Sequence, residues 1–258
     1  MQINILALGD VVGPRAVEYL RRNLWELRRR ENIGFVVANG ENAAVGNGLD
    51  IDSAEILLDA GVDVLTSGNH IWQKREIYAY LDDYSTVIRP ANYRAANPGS
   101  GWTVIDNGQM RILVMNVMGT VYMEPLDNPF ACVEKILEKQ KGEYDLAILD
   151  IHAEATSEKL ALAFHFDGRI PIIFGTHTHV PTADEQILPR GSGYITDLGM
   201  CGPIHSILGV KPGIIIEKMT AHMPARFELA ETKIEANGAI FTCDSSSGKV
   251  SAVKRIRF

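Results

Sequence analysis

Cysteine is scarce in this chain. Cys132, Cys201 and Cys243 are the only three, odd in number and widely spaced, with no C-x-x-C pair. That excludes a disulfide framework and a zinc ribbon, and it leaves the thiols as small core hydrophobes. Long apolar runs are absent too: none approaches the ~20 residues that span a bilayer. The amino-terminal run Ile3–Leu8 is too short for a secretory signal and has no basic leader, so a cytoplasmic protein without a membrane partner is expected. Positive charge is in deficit, with 25 Lys and Arg against 32 Asp and Glu and a formal net charge of −7. A protein that grips long nucleic acid through its phosphates usually carries the opposite sign, so long nucleic acid is not expected as a partner. Bound cations do not enter a sequence charge count, so a local positive site is still compatible. Repeats, low-complexity tracts and linkers are missing as well, and residues 1–258 read as a single domain; a homo-oligomer is compatible with that reading.

What is present is the pattern of an α/β protein. Hydrophobic residues make up 46% of the chain, enough for a full core. Short apolar runs alternate with helical patterns through the first two-thirds. Strands are expected at Ile3–Leu8, Phe35–Ala38, Val62–Thr66, Leu146–Ile151 and Pro171–Phe174. A hairpin of Trp102–Asp106 and Met110–Val117 is expected around Asn107-Gly108. Pro14 opens a helix striped by Val17, Leu20, Leu24 and Leu27. Asp52 or Ser53 caps a second helix, and Phe130–Glu138 and Glu158–Phe166 supply two more. The carboxyl third reads as strands at Tyr194–Thr196, Gly213–Ile216, Phe227–Glu235, Ala239–Cys243 and Val250–Ile256, with Asn237-Gly238 as a turn. The expected architecture is two packed mixed sheets flanked by helices, a four-layer α-β-β-α sandwich.

The polar clusters fall at the ends of those strands. Gly9-Asp10 ends the first, Asn39-Gly40-Glu41-Asn42 the second and Gly68-Asn69-His70 the third. His152 ends the strand at Leu146–Ile151, and Gly175-Thr176-His177-Thr178-His179 follows the strand at Pro171–Phe174. Parallel strands bring such ends to one edge of a sheet, where α/β proteins build their sites. Asp, Glu, Asn and His offer oxygen and imidazole donors without thiolate, which suits manganese, iron or zinc. Seven such groups exceed the needs of one ion. Two divalent ions about 3.5–4 Å apart would use them, clamp a phosphate and hold an attacking hydroxide between them. Taken singly, Asp10, Glu41-Asn42 and Asn69-His70 would pass as turn or capping residues, and His152 as a satisfied strand-end histidine.

The series Gly-Asp, Gly-Glu-Asn, Gly-Asn-His, lone His and Gly-x-His-x-His resembles the calcineurin-like metallophosphoesterases, and more closely their YmdB-like branch of bacterial cyclic-nucleotide phosphodiesterases. Gly9-Asp10-Val11-Val12-Gly13, Asn39–Ala44, Arg89-Pro90-Ala91-Asn92-Tyr93 and Thr196-Asp197-Leu198-Gly199-Met200 support the likeness. The wider superfamily has Asp-x-His first and Gly-Asp second, where this chain has Val12 and Glu41; both departures fit the YmdB-like branch. The resemblance implies one metal held by Asp10, Glu41, Asn42 and His179, and a second held by Glu41, Asn69, His152 and His177. It implies His70 as the acid that protonates the leaving oxygen. Iron or manganese is favoured, with zinc as an alternative. The implied activity is hydrolysis of small cyclic nucleotides, 2′,3′-cyclic ones favoured. A phosphomonoesterase, a nuclease or a regulatory protein with structural metals are the competing readings.

His165, in a helix, and His222, with no ligand neighbour, read as structural, as does His205, although its loop Gly202–Gly209 could line the substrate pocket. Arg28-Arg29-Arg30 reads as a solvated helix end that complements the dipole. Gly46-x-Gly48 reads as a flexible loop beside the metals. Substrate size would depend on loops such as Arg89–Tyr93 and Thr196–Gly209.

Overall fold

The computed structural model describes residues 2–244 and 247–258. The chain begins with strand β1 (Gln2–Leu8), a two-residue strand β2 (Asp10–Val11), helix α1 (Pro14–Arg30) and strand β3 (Ile33–Asn39). Helix α2 (Ile51–Asp59), strand β4 (Val64–Thr66), a 3-10 turn (Ile71–Gln73) and helix α3 (Ile77–Asp83) follow. The hairpin of β5 (Trp102–Asp106) and β6 (Arg111–Met118) leads into α4 (Pro129–Lys139), β7 (Leu146–His152), α5 (Thr156–Phe166) and β8 (Ile172–Thr176). The carboxyl third holds β9 (Gln186–Ile187), β10 (Gly193–Ile195), β11 (Met200–Pro203), α6 (Pro212–Ala221), β12 (Ile234–Glu235), β13 (Asn237–Asp244) and β14 (Val250–Arg257).

The described residues form three sheets. One has the order β14-β13-β1-β3-β4, a second β5-β6-β7-β8-β10-β9, and a small third β12-β11-β2. Strands β1, β3 and β4 are mutually parallel, as are β6, β7, β8 and β10. Side chains on a strand alternate between faces, and the sequence uses that alternation to fill three cores. On β1, Ile3, Ile5 and Ala7 point into a core shared with Ile112, Val114, Ile148, Ile172 and Phe174 of the second sheet. Leu6 and Leu8 point the other way, onto Val17, Leu20 and Leu24 of α1 and Leu57 of α2. In the second sheet Leu113, Met115, Leu149 and Ile151 face Val133 of α4 and Leu162 and Phe166 of α5. Two sheets thus pack face to face with helices outside, the expected four layers.

Several local expectations are corrected. The cap of α2 is Asp50, not Asp52 or Ser53: its backbone is extended, and its side chain accepts from the Ser53 N–H at 2.9 Å, the geometry an N-cap needs. Gly213–Ile216 is not a strand but lies in α6. Pro212 at the first helical position fixes the helical φ, and that local start outweighs the β-branched run Ile214–Ile216. Of Phe227–Glu235 only Ile234–Glu235 is strand, and Arg226, Phe227 and Glu228 are exposed, with no apolar face turned to a core. Asn237-Gly238 is no turn: both residues lie in β13 opposite Arg257 and Ile256. A Cβ on Gly238 would stand 2.2 Å from the Ala7 carbonyl oxygen, so the glycine serves close strand approach. Arg28 is not simply solvated. It donates to the Gly61 carbonyl at 2.5 Å and pairs with Asp63 at 3.1 Å, tying α1 to the turn before β4. Helix α3 and the short strands β2, β9 and β11 carry too little periodicity to be read in advance.

Candidate metal centre

The five polar clusters do converge, but at the edges of two sheets rather than one. Glu41, Asn69 and His70 come from the ends of β3 and β4; His152, His177 and His179 come from β7 and β8. Asp10 is supplied by β2, which leaves the first sheet and pairs instead with Met200–Cys201 of β11. Face-to-face packing places the carboxyl ends of both sets of strands together, so the site sits across the sandwich.

Glu41 stands at the middle. Its Oε1 lies 3.3 Å from His152 Nε2, 3.2 Å from His70 Nδ1 and 3.0 Å from Asn42 Nδ2, and its Oε2 accepts the His70 N–H at 2.9 Å. Asn69 Oδ1 and His177 Nδ1 both approach His152 Nε2, at 3.1 and 3.0 Å. Glu41, His152 and His177 form a group whose ligand atoms lie within 4.8 Å of one another. On the other side of Glu41, His179 Nε2 is 3.4 Å from Asn42 Nδ2 and 3.8 Å from Asp10 Oδ1.

Whether these residues suit a cation can be judged from their own bonding. Asp10 Oδ1 is buried with no hydrogen-bond partner among the described residues, although Asp10 Oδ2 accepts the His177 N–H at 3.0 Å. A bare buried carboxylate oxygen is costly unless a cation supplies the partner. The three imidazoles are held with one nitrogen spoken for and the other turned inward. His152 Nδ1 bonds Thr176 Oγ1 at 2.9 Å, which donates on to Asp150 at 2.8 Å. His177 Nε2 lies 3.2 Å from Glu154, and His179 Nδ1 lies 3.2 Å from the Leu208 carbonyl oxygen. The Leu208 carbonyl can only accept, so His179 Nδ1 donates and its Nε2 keeps a lone pair toward the centre. The Thr176 hydroxyl, which already donates to Asp150, and the Glu154 carboxylate can accept from the outer nitrogens of His152 and His177 in the same way, the arrangement a metal requires. Gly68 keeps the centre open: a Cβ there would stand 2.2 Å from His152 Nε2 and 2.4 Å from Glu41 Oε2. The donor set fits divalent cations.

The electrostatics point the same way. Burial pushes the Glu41 carboxyl up, but His152 and His70 more than offset that and hold it well below the usual range. Burial raises Asp10, with His179 and His152 opposing. Burial works against a charge on His152, yet Glu41 and Asp10 outweigh it and push the imidazole up to about 9. The field at His152 Nε2 thus favours positive charge, whether a proton or a metal ion. His177 moves the opposite way, down to about 3, through burial and the neighbouring His152.

Asn42 departs from the simple expectation. Its Oδ1 takes His70 Nδ1 at 2.9 Å, while its amide nitrogen faces Glu41 and His179. A carbonyl oxygen has a second lone pair, so Asn42 keeps one acceptor position. The sequence reading missed the layer behind the site. Asn39 Oδ1 accepts the Glu41 N–H at 3.1 Å. Asp150, raised to about 6 by burial, is surrounded by Thr66 and Thr176 hydroxyls and the Asn39 amide. An acid in the middle of the apolar run Leu146–Ile151 was the available signal. The loop Arg89–Tyr93 is held from within, and Tyr93 is close enough to feel the Glu41 charge. Arg89 is buried and bonds the carbonyls of Pro90 and Pro98, and Tyr93 packs edge-on against Trp72. His165 pairs with Glu134, His222 ends α6 in left-handed conformation and His205 is exposed.

Comparison with known proteins adds the family. A family model described as YmdB-like protein matches residues 6–256. The chain is 39% identical over 254 residues to the 2′,3′-cyclic-nucleotide 2′-phosphodiesterase of Bacillus subtilis (strain 168), covering 98% of this chain and 96% of that one. A crystal structure of a hypothetical protein from Thermus thermophilus superposes with a TM-score of 0.93 at 38% identity, covering 99% of each chain. One described as a novel phosphatase of Mycoplasma pneumoniae gives 0.93 at 37% identity, covering 100% of this chain and 94% of that one.

Proposed function

The chain belongs to the YmdB-like family, and on that premise we propose that it is a metal-dependent phosphodiesterase of small cyclic nucleotides, 2′,3′-cyclic ones favoured. The observation that carries the reading is the convergence of three imidazoles on buried Glu41 and on Asp10, whose Oδ1 has no hydrogen-bond partner among the described residues. Asp10, Glu41, Asn42 and His179 would hold one divalent ion, and Glu41, Asn69, His152 and His177 a second; the donor set suits manganese, iron or zinc, with iron or manganese favoured. When bound, such ions polarise the phosphoryl group and make water a better nucleophile.

The remaining work belongs to the chain's own residues. The Asp150–Thr176–His152 series fixes one imidazole, Glu154 a second and the Leu208 carbonyl the third, so the centre loses little freedom on loading. His70 is a quarter exposed and is held through Nδ1 by Asn42 Oδ1. Its other nitrogen is the donor for the departing oxygen. Beside Asn42 opens a groove of about 730 Å³, bounded by Ala44–Asn47 and by Arg226, Phe227 and Leu229. That volume suits a small ester, within the range of about 300–1,000 Å³ typical of such sites. A structural metal site closes its coordination sphere, whereas His70, Asn69 and His179 here reach solvent.

The test is hydrolysis of 2′,3′-cyclic AMP, bis(nitrophenyl) phosphate and nitrophenyl phosphate by the purified chain, with and without chelator. Turnover of the diesters, lost on chelation and restored by Mn²⁺, is expected. Turnover of the monoester alone would make the chain a phosphomonoesterase, and no turnover with metals bound would favour a regulatory role.

A further inference from the structure

Behind the two-histidine loop lies a second charged pair that the chemistry above does not use. Lys159 Nζ on α5 lies 2.7 Å from Asp197 Oδ2, and both side chains are only 1% exposed. A buried ion pair is a poor way to gain stability, because desolvating both charges cancels most of their attraction, and an apolar pair of similar volume serves as well or better. The same Oδ2 accepts the Thr178 N–H at 3.2 Å and the Thr178 hydroxyl at 2.8 Å, while Oδ1 accepts the Gly199 N–H at 2.8 Å. Thr178 is the residue between His177 and His179. The lysine stem reaches this point because Gly175 has no side chain: a Cβ there would meet Lys159 Cδ at 2.7 Å.

Both histidines have left-handed backbones, φ 99° at His177 and 65° at His179. Few residues other than glycine adopt that conformation unless the surroundings impose it. Its effect is to break the alternation that would put residues 177 and 179 on one face. His177 Nδ1 turns to His152 at 3.0 Å, and His179 Nε2 turns to Asn42 and Asp10 at 3.4 and 3.8 Å. The Asp197 carboxylate grips Thr178 from behind, between the two left-handed residues. It also reaches the third ligand, since Gly199, held through its N–H, accepts the Asp10 N–H on its carbonyl at 3.1 Å.

We propose that the buried Lys159–Asp197 pair is a positioning device that clamps Thr178 and so divides His177 and His179 between two cation positions. Lys159 lies against Asp197 as its countercharge in the interior, and the carboxylate fixes the strained loop through its hydrogen bonds to Thr178. The inference rests on the dinuclear reading above.

Thr178→Val keeps the branched shape and removes the hydroxyl donor; Thr178→Ser keeps the donor. Mn²⁺ binding to the chelator-treated full chain is measured by equilibrium dialysis, with thermal unfolding in chelator as the control. Expected are two Mn²⁺ per wild-type chain and a roughly 10–100-fold weaker affinity in Thr178→Val, the usual cost of losing a ligand's support. The unfolding temperature in chelator should stay near wild type, and Thr178→Ser should restore affinity. Asp197→Asn should give the same defect or a larger one. Two Mn²⁺ bound by Thr178→Val at wild-type affinity overturns the clamp alone. A loss of unfolding temperature that fully accounts for the weaker binding also overturns it, leaving a merely structural pair. One Mn²⁺ or none in the wild type sinks the dinuclear reading, and the clamp with it.

Discussion

His152 Nε2 and His177 Nδ1 face each other at 3.0 Å, although 25 residues separate them in the chain. Thr176 and Glu154 hold the far nitrogens of the two rings. A contact that short between two ring nitrogens needs positive charge between or beside them, a proton or a cation. The buried Glu41 carboxylate 3.3 Å from His152 strengthens the demand for positive charge at that point. A matching demand arises on the other side of Glu41, around His179 and the unpartnered Asp10 oxygen.

Glu41→Gln keeps the size of the side chain but lowers the negative charge where the two groups of ligands meet. The variant should lose Mn²⁺ from both positions and lose hydrolysis with it. Metal content by elemental analysis is the measurement. Two ions per chain together with near-normal turnover would show that Glu41 is not shared.

His177→Ala and His179→Ala should each weaken a different cation position, since the two side chains point into different groups of ligands. Mn²⁺ titrations of the two variants should each leave one tight site, and the double variant none. A metal-loaded crystal structure with both imidazoles on one ion would sink the idea.

His70→Ala should keep both ions, because the imidazole is tied to Asn42 and Glu41 and stands at the rim. Turnover of 2′,3′-cyclic AMP should fall by ~10²–10⁴-fold, the usual worth of a positioned acid. The fall should shrink for bis(nitrophenyl) phosphate, whose leaving group needs no proton. If metal content drops in step with activity, His70 is a ligand; if both esters slow equally, it positions rather than protonates.

The cysteines should be poor nucleophiles. Burial pushes Cys201 up to about 12, with the neighbouring Asp10 charge adding to it, and burial alone pushes Cys243 to about 12. At pH 8 neither carries appreciable thiolate, so neither should react with iodoacetamide in the folded chain. Cys132 is half-buried and raised less, and slow labelling there is expected. Mass spectrometry should count at most one label in native protein and three in guanidinium; two or more native labels would contradict the burial.

Much of this molecule was legible in the chain itself. The short apolar runs Ile3–Leu8 and Leu146–Ile151, the Pro14 start of α1 and the Asn107-Gly108 hairpin are local signals, and each element formed where its signal lay. The failures lie where local chemistry is ambiguous. Ile214–Ile216 has strand residues inside a helix started by Pro212, and Asn237-Gly238 has turn residues inside a strand whose glycine admits Ala7. Asp10, Glu41, Asn69, His152, His177 and His179 stood out because polar donors follow strand ends.

The sequence by itself determined which donors are available and that strands would carry them to sheet edges, because hydrophobic periodicity is written residue by residue. Tertiary structure decided the rest. It brought the edges of two sheets together and left Asp10 Oδ1 without a partner. It gave each histidine an outer acceptor from a distant segment (Thr176, Glu154 or Leu208) and set Lys159 and Asp197 behind Thr178. Those contacts join residues tens of positions apart. No local propensity encodes them, and only the packing of one layer on the next fixes which nitrogen faces the centre.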